Sequence, residues 1–151
     1  MKIYRIARTE FCDISGEGAK MFGGRWNFAG YPVLYGSGSI SSALLERLTV
    51  DPELFASERY TLYSIMEFDC PRKLIRTFTE NELPEGWNTI PFNKRTQEFG
   101  SDLIQSGIVC FAVPSVVDKT SFNYILNPAS KNFNKITWET YPLQLDKRII
   151  R

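Results

Sequence analysis

Gly16-Glu17-Gly18-Ala19-Lys20-Met21-Phe22-Gly23-Gly24-Arg25-Trp26-Asn27 gathers four of the chain's ten glycines and sets one arginine and one tryptophan directly behind the last pair. Without a Cβ, glycine reaches positive φ and lets a ligand or a second backbone come close, at a cost in chain entropy. A planar guanidinium on such a loop suits two-point recognition of a phosphate or carboxylate. The stretch therefore reads as part of an anion-recognising pocket. It lacks the lysine and spacing of a P-loop and the spacing of G-x-G-x-x-G, so glycine content alone takes the reading no further.

The rest of the composition narrows the chemistry. A chain of 151 residues fits one domain, spanning 1–151, that needs no staples. Eighteen basic and 17 acidic residues leave a formal charge of +1, without the clustered basic face that nucleic-acid capture needs. Cys12, Cys70 and Cys110 are widely spaced and there is no histidine, so the usual zinc ligand sets cannot be assembled and no metal is expected. Free thiols fit a reducing cytoplasm. No apolar run approaches the ~20 residues of a membrane span, and the expected location is cytoplasmic.

The missing histidine removes whole reaction classes. Neither a Ser-His-Asp or Cys-His hydrolase nor a histidine-based ribonuclease can be built. Catalysis must rest on carboxylates, Tyr, Ser, Lys, Arg or the substrate's own leaving group.

Along the chain, residues 2–7 alternate as a strand and 32–35 form a short strand between Gly30 and Gly36. Residues 39–50 read as a helix capped by Ser39 or Ser41, with Ile40, Leu44 and Leu48 at helical spacing and Leu45 widening the stripe. Residues 60–68, aromatic and β-branched, are the clearest strand, and 74–78 suit another. Residues 83–90 are irregular, and 96–105 form a helix stopped by Gly107. Residues 108–113 fit a buried strand, 122–126 lead into the turn Asn127-Pro128, and 136–141 with 143–149 suit a closing antiparallel pair. About seven short strands with two or three helices exclude a doubly wound nucleotide fold of this size. The fold class is α+β.

Several side chains stand out. Arg25 serves either local carbonyls or an anion, and Trp26 suits a core or pocket wall. Tyr35 closes a strand whose end can point into a cleft. At ~100° per residue, Glu46 lies almost opposite the centre of the Ile40–Leu44–Leu45–Leu48 stripe, facing either solvent or a cleft bordering the helix. Ser115 follows a buried strand and a proline, where its hydroxyl either bonds its own turn or meets a ligand. Asn127 belongs first to a turn.

Taken in order, Gly16-x-Gly18-Ala19, Gly23-Gly24-Arg25-Trp26-Asn27 and Gly30-x-Pro32-Val33-Leu34-Tyr35 resemble the RES domain of bacterial toxin–antitoxin systems, named for its arginine, glutamate and serine. Ala43-Leu44-Leu45-Glu46, Leu83-Pro84 with Trp87, Val113-Pro114-Ser115 and Leu126-Asn127-Pro128 continue the match to nearly the end of the chain. The resemblance implies a compact fold like that of ADP-ribosyltransferase toxins, with short split sheets and flanking helices. It implies NAD+ as substrate with no permanently bound cofactor, and a cognate antitoxin with a helix-turn-helix domain as partner. Carried over, the catalytic set falls on Arg25, Tyr35, Glu46 and Ser115. Gly24, Arg25, Trp26, Asn27, Tyr35 and Asn127 fall on the substrate.

This residue set tolerates the implied chemistry without histidine. Cleavage of the nicotinamide–ribose bond passes through an oxocarbenium-like state, as in glycoside hydrolysis. Nicotinamide is cationic in NAD+ and departs neutral, so no general acid is required. One carboxylate suffices to hold the ribose hydroxyls and stabilise the developing charge. Water, phosphate or a protein side chain could receive the ADP-ribose.

Overall fold

Residues 1–151 are described by a computed structural model. Its strands are β1 (Lys2–Arg8), β2 (Leu34–Ser37), β3 (Tyr63–Asp69), β4 (Ile75–Thr77), β5 (Cys110–Pro114), β6 (Phe122–Leu126) and β7 (Thr137–Pro142). The helices are α1 (Glu17–Phe22), α2 (Ile40–Leu48) and α3 (Lys94–Gln105). All seven strands join one mixed sheet in the order β4-β5-β6-β2-β1-β3-β7, and only β4–β5 is parallel. This is the expected α+β class.

The sheet is nearly split in two. β1 pairs with β3 over seven residues, Lys2 to Arg8, but with β2 only through Tyr4↔Ser37. Beyond that pair β1 and β2 diverge, leaving one half of β4-β5-β6-β2 and another of β1-β3-β7. The narrow junction is the physical form of the expected split.

Three apolar clusters hold the halves. Ile3 of β1 meets Leu34, Met66, Phe68 and Leu126 behind the junction, while Ile6, facing the other way, meets Ala43, Leu54, Tyr63 and Ile65 under α2. The third cluster seats α3 on β5 and β6 through Ile104, Phe111, Val113 and Ile125, with Trp26 and Trp87. Burying both faces of β1 makes it an anchor for everything that borders the junction.

The elements differ from the sequence reading where apolar periodicity was weak. α1 lies inside the stretch read as a loop; it has six residues and no buried one, so there was no stripe to read. β2 starts two residues late, after Pro32, which lacks an N–H. Residues Arg59–Leu62 form a 3-10 turn before β3, and α3 starts at Lys94, capped by Asn93. The closing pair of 136–141 with 143–149 does not form. β7 pairs with β3 instead, from Ser64↔Pro142 to Asp69↔Thr137, and Leu143 is buried in the α2 cluster. Its N–H still reaches the Tyr63 carbonyl, after which Lys147–Ile149 turns as a 3-10 segment. No helix is long and apolar enough to cross a membrane.

Candidate active site

Gly24 and Asn27 exchange backbone hydrogen bonds of 3.0 and 3.4 Å, closing a tight turn with Arg25 and Trp26 at its corner. Two glycines make it possible. Gly23 sits at φ 74°, where side chains are strained, and a Cβ on Gly24 would lie 2.8 Å from the Tyr35 hydroxyl. Trp26 turns inward, edge-on to Phe99 and Phe111. Arg25 turns the other way.

The Tyr35 hydroxyl locks this turn: it donates to Asn27 Oδ1 at 2.6 Å and accepts from Trp26 N–H at 3.1 Å. Burial pushes the Tyr35 phenol far above its ordinary pKa, so it stays protonated and able to donate. Asn27 spends its amide hydrogens on the carbonyls of Ala19, Phe28 and Tyr31. Fully buried, Asn27 builds the turn and has no donor left for a ligand.

Arg25 Nη1 donates to the Trp87 and Thr89 carbonyls, each at 2.9 Å, and its guanidinium lies 5.8 Å from the Phe92 ring centre. The irregular 83–90 segment is thus its holder. Nε and Nη2 make no protein hydrogen bond, so the edge that could bind an anion is open. Burial lowers the Arg25 pKa, and the negative charge of Glu46 acts in the opposite direction. The two side chains feel each other without forming an ion pair.

Glu46 is placed by α2, whose cap Ser39 accepts from Ser42 N–H at 3.1 Å. Its apolar side rests on the Ile6 cluster, and Glu46 meets the β5–β6 hairpin. Ser115, at the end of β5, accepts from the N–H groups of Val117 and Asp118, both at 3.1 Å. With both lone pairs engaged, its proton goes to Glu46 Oε1 at 2.7 Å. The turn role and the site role of Ser115 are therefore one arrangement. Asn123 Nδ2 donates to the same Glu46 oxygen at 2.8 Å, and Oε2 has no protein partner.

Asn127 is not brought to these side chains. Its Nδ2 donates to the Ile104 and Ile108 carbonyls and its Oδ1 accepts from Ala129 N–H, which ties the end of α3 to β6.

Three side chains at the junction were not read as site residues from the sequence, where Arg47 passed for a surface neighbour of Glu46. Asn123 is one; a polar residue two positions before the buried Ile125 was its only signal. Arg47 sends Nε and Nη2 to the Ile6 carbonyl at 3.0 and 2.8 Å, satisfying a group that β2 would have paired had the strands stayed together. Arg5, in the middle of β1, keeps Nη1 buried without a partner. Burial, then the positive charge of Arg47, lowers the Arg5 pKa. A separate depression of about 300 Å³, lined by Lys2, Glu67, Asp69 and Trp138, lies over β3 and β7 and holds none of these groups. Cys70 and Cys110 are buried, and Cys12 is half-buried; all are free thiols.

Several known proteins are similar to this chain. Residues 2–146 match the RES domain profile. A protein named Toxin Res from Photorhabdus laumondii subsp. laumondii is 32% identical over 156 residues, covering 100% of this chain and 98% of its own. The Prs ADP-ribosylating toxin of Sphingobium sp. (strain YBL2) is 34% identical over 134 residues, covering 85% of this chain and 81% of its own. In the crystal structure of the M. tuberculosis MbcT-MbcA toxin-antitoxin complex, one chain superposes on 95% of this one and 84% of itself, with TM-score 0.71 and 15% identity. That likeness is one of fold. Matched over nearly its full length, this chain belongs to the RES domain family.

Proposed function

We propose that this protein is the toxin of a toxin–antitoxin pair and degrades NAD+ by breaking its nicotinamide–ribose bond. The observation that carries the reading is Glu46, held through one oxygen by Ser115 and Asn123, facing the charge of Arg25 without pairing to it. A free carboxylate oxygen that feels an open guanidinium edge suits a substrate that turns cationic at the reacting carbon and is anionic at a pyrophosphate.

Arg25 anchors the pyrophosphate, and Tyr35 holds the turn that aims Arg25. Glu46 Oε2 binds the ribose hydroxyls and stabilises the positive charge that develops as the C1′–N bond breaks. The bonding pair leaves with nicotinamide, and a nucleophile then closes on C1′. Water makes the protein a glycohydrolase and phosphate makes it a phosphorylase. The Sphingobium relative, by its name, favours a second reading in which a protein side chain accepts the ADP-ribose. The partner is an antitoxin with a helix-turn-helix domain, acting with the toxin in the cytoplasm where the NAD+ pool lies.

Incubating the purified protein with NAD+ labelled in its adenylate half decides among these. Nicotinamide should be released, and Arg25→Ala and Glu46→Ala should each lower kcat/KM by about 10²- to 10³-fold, the usual loss for one charge-stabilising group. Free ADP-ribose, its phosphorylated form or labelled protein identifies the acceptor. Intact NAD+ with and without phosphate and with cell extract as acceptor would reject the enzyme reading.

A further inference from the structure

We propose that Asn123 is a positioning residue for the reaction: it fixes the rotation of the Glu46 carboxylate so that Oε2 alone meets the substrate. The assignment rests on the reading of this cleft as an NAD-cleaving site.

Asn123 stands opposite Val113 of β5 and Ser37 of β2, so its side chain leaves the sheet on the face of Phe111, Val113 and Ile125, all inaccessible to solvent. That surroundings would accept an apolar side chain. Instead the position holds an amide whose Oδ1 is buried with no hydrogen-bond partner. An unmet buried acceptor destabilises the fold, and few survive in native proteins. The amide's one protein contact through its donor side is Glu46 Oε1, at 2.8 Å. Turned over, it would set Oδ1 against that oxygen, acceptor facing acceptor. The unfavourable orientation at Oδ1 is therefore the consequence of serving Glu46.

The geometry also separates this role from holding the helix. Ser42 and Ser121 hydrogen-bond at 3.0 Å one turn earlier on α2, and Arg47 ties the same helix to β1. α2 stays seated without Asn123. A single donor on a carboxylate oxygen leaves the group free to rotate about its side chain. Two donors from different directions, Ser115 Oγ at 2.7 Å and Asn123 Nδ2, fix its plane. Asn123 does not touch the reacting atoms; it acts through Glu46.

Asn123→Ala, Asn123→Asp and Asn123→Leu test this by nicotinamide release and thermal unfolding. All three should lower kcat by about 10- to 100-fold, the scale of a mispositioned reacting group, with KM for NAD+ within about threefold. Asn123→Leu should unfold at the same or a higher temperature than wild type, because it removes the unmet acceptor. Asn123→Asp keeps the shape and loses the donor, so any recovery of kcat by it counts against the proposal. Combined with Ser115→Ala, Asn123→Ala should lower kcat by less than the product of the single losses, since both donors serve one oxygen. Wild-type kcat in folded Asn123→Leu, or a loss seen only as a lower unfolding temperature, overturns the role while the NAD-cleaving reading stands. A wild type that leaves NAD+ intact removes both.

Discussion

Tyr35 shows how one hydroxyl can decide the shape of a site. It is the shared partner of Trp26 N–H and Asn27 Oδ1, so the turn that presents Arg25 closes around it. Tyr35→Phe keeps the ring and strands both partners, which should lower stability by about 1–3 kcal/mol in a denaturant titration. The loosened turn should raise KM for NAD+ more than it lowers kcat; the reverse split would place the hydroxyl in the chemistry instead. At this scale the sequence was informative about charged groups and less so about amides. Glu46 and Ser115 hydrogen-bond and Arg25 feels the Glu46 charge, but Asn27 and Asn127 turn inward. An asparagine beside a tight turn finds backbone groups to satisfy before it finds a ligand. Asn123, in mid-strand, has no such groups in reach and serves a side chain instead.

Elements matter here because α2 crosses from one half of the sheet to the other, while α3 covers β5 and β6. α2 spans the junction of the sheet, with Ser42 and Glu46 turned to the β5–β6 hairpin and Arg47 to β1. Removing its cap with Ser39→Ala should cost about 1 kcal/mol. Because the side ties remain, activity of the folded protein should persist, as a comparison of unfolding midpoint with kcat will show. α3 depends on Gly100, where a Cβ would run into the Trp26 carbonyl. Gly100→Ala should therefore lower stability by about 1–3 kcal/mol or more, despite alanine's better helix propensity. A rise in unfolding temperature would show that the Trp26 turn can yield. α2 and β1 were legible from the spacing of Ile40, Leu44 and Leu48 and from alternation over residues 2–7, although burial in both is uneven. α1 was not, since a six-residue helix with no buried face leaves no pattern.

Across the whole molecule, the ties of α2 continue into a polar knot. Arg47 lies 5.7 Å over the Tyr63 ring, Tyr63 donates to Asp51, and Arg59 Nε reaches both Asp51 oxygens at 3.0 and 2.7 Å. The Tyr63 hydrogen bond, then Arg59, holds the Asp51 carboxyl below its ordinary pKa. A carboxyl depressed in the folded state stabilises it above the unfolded value, about 3.9, and loses that contribution as pH falls through the folded value. Asp51→Asn should therefore be less stable than wild type near neutrality, with the gap closing below about pH 4. Parallel acid-unfolding curves for the two proteins would refute this.

The sequence by itself determined the class of the fold, the glycine turn that carries Arg25, and a chemistry without histidine. These rest on composition and on periods of two or 3.6 residues, which are local properties of the chain. Only the tertiary structure decided that Glu46, Ser115 and Asn123 meet, and that β1 and β2 part after a single pair. It also decided that Arg5 and Arg47 stand at that parting, and that residues 143–149 leave the sheet. Strand order brings together distant residues, such as Glu46 and Asn123, 77 positions apart. No local pattern encodes which strands become neighbours, because that choice is made by burying all three apolar clusters at once.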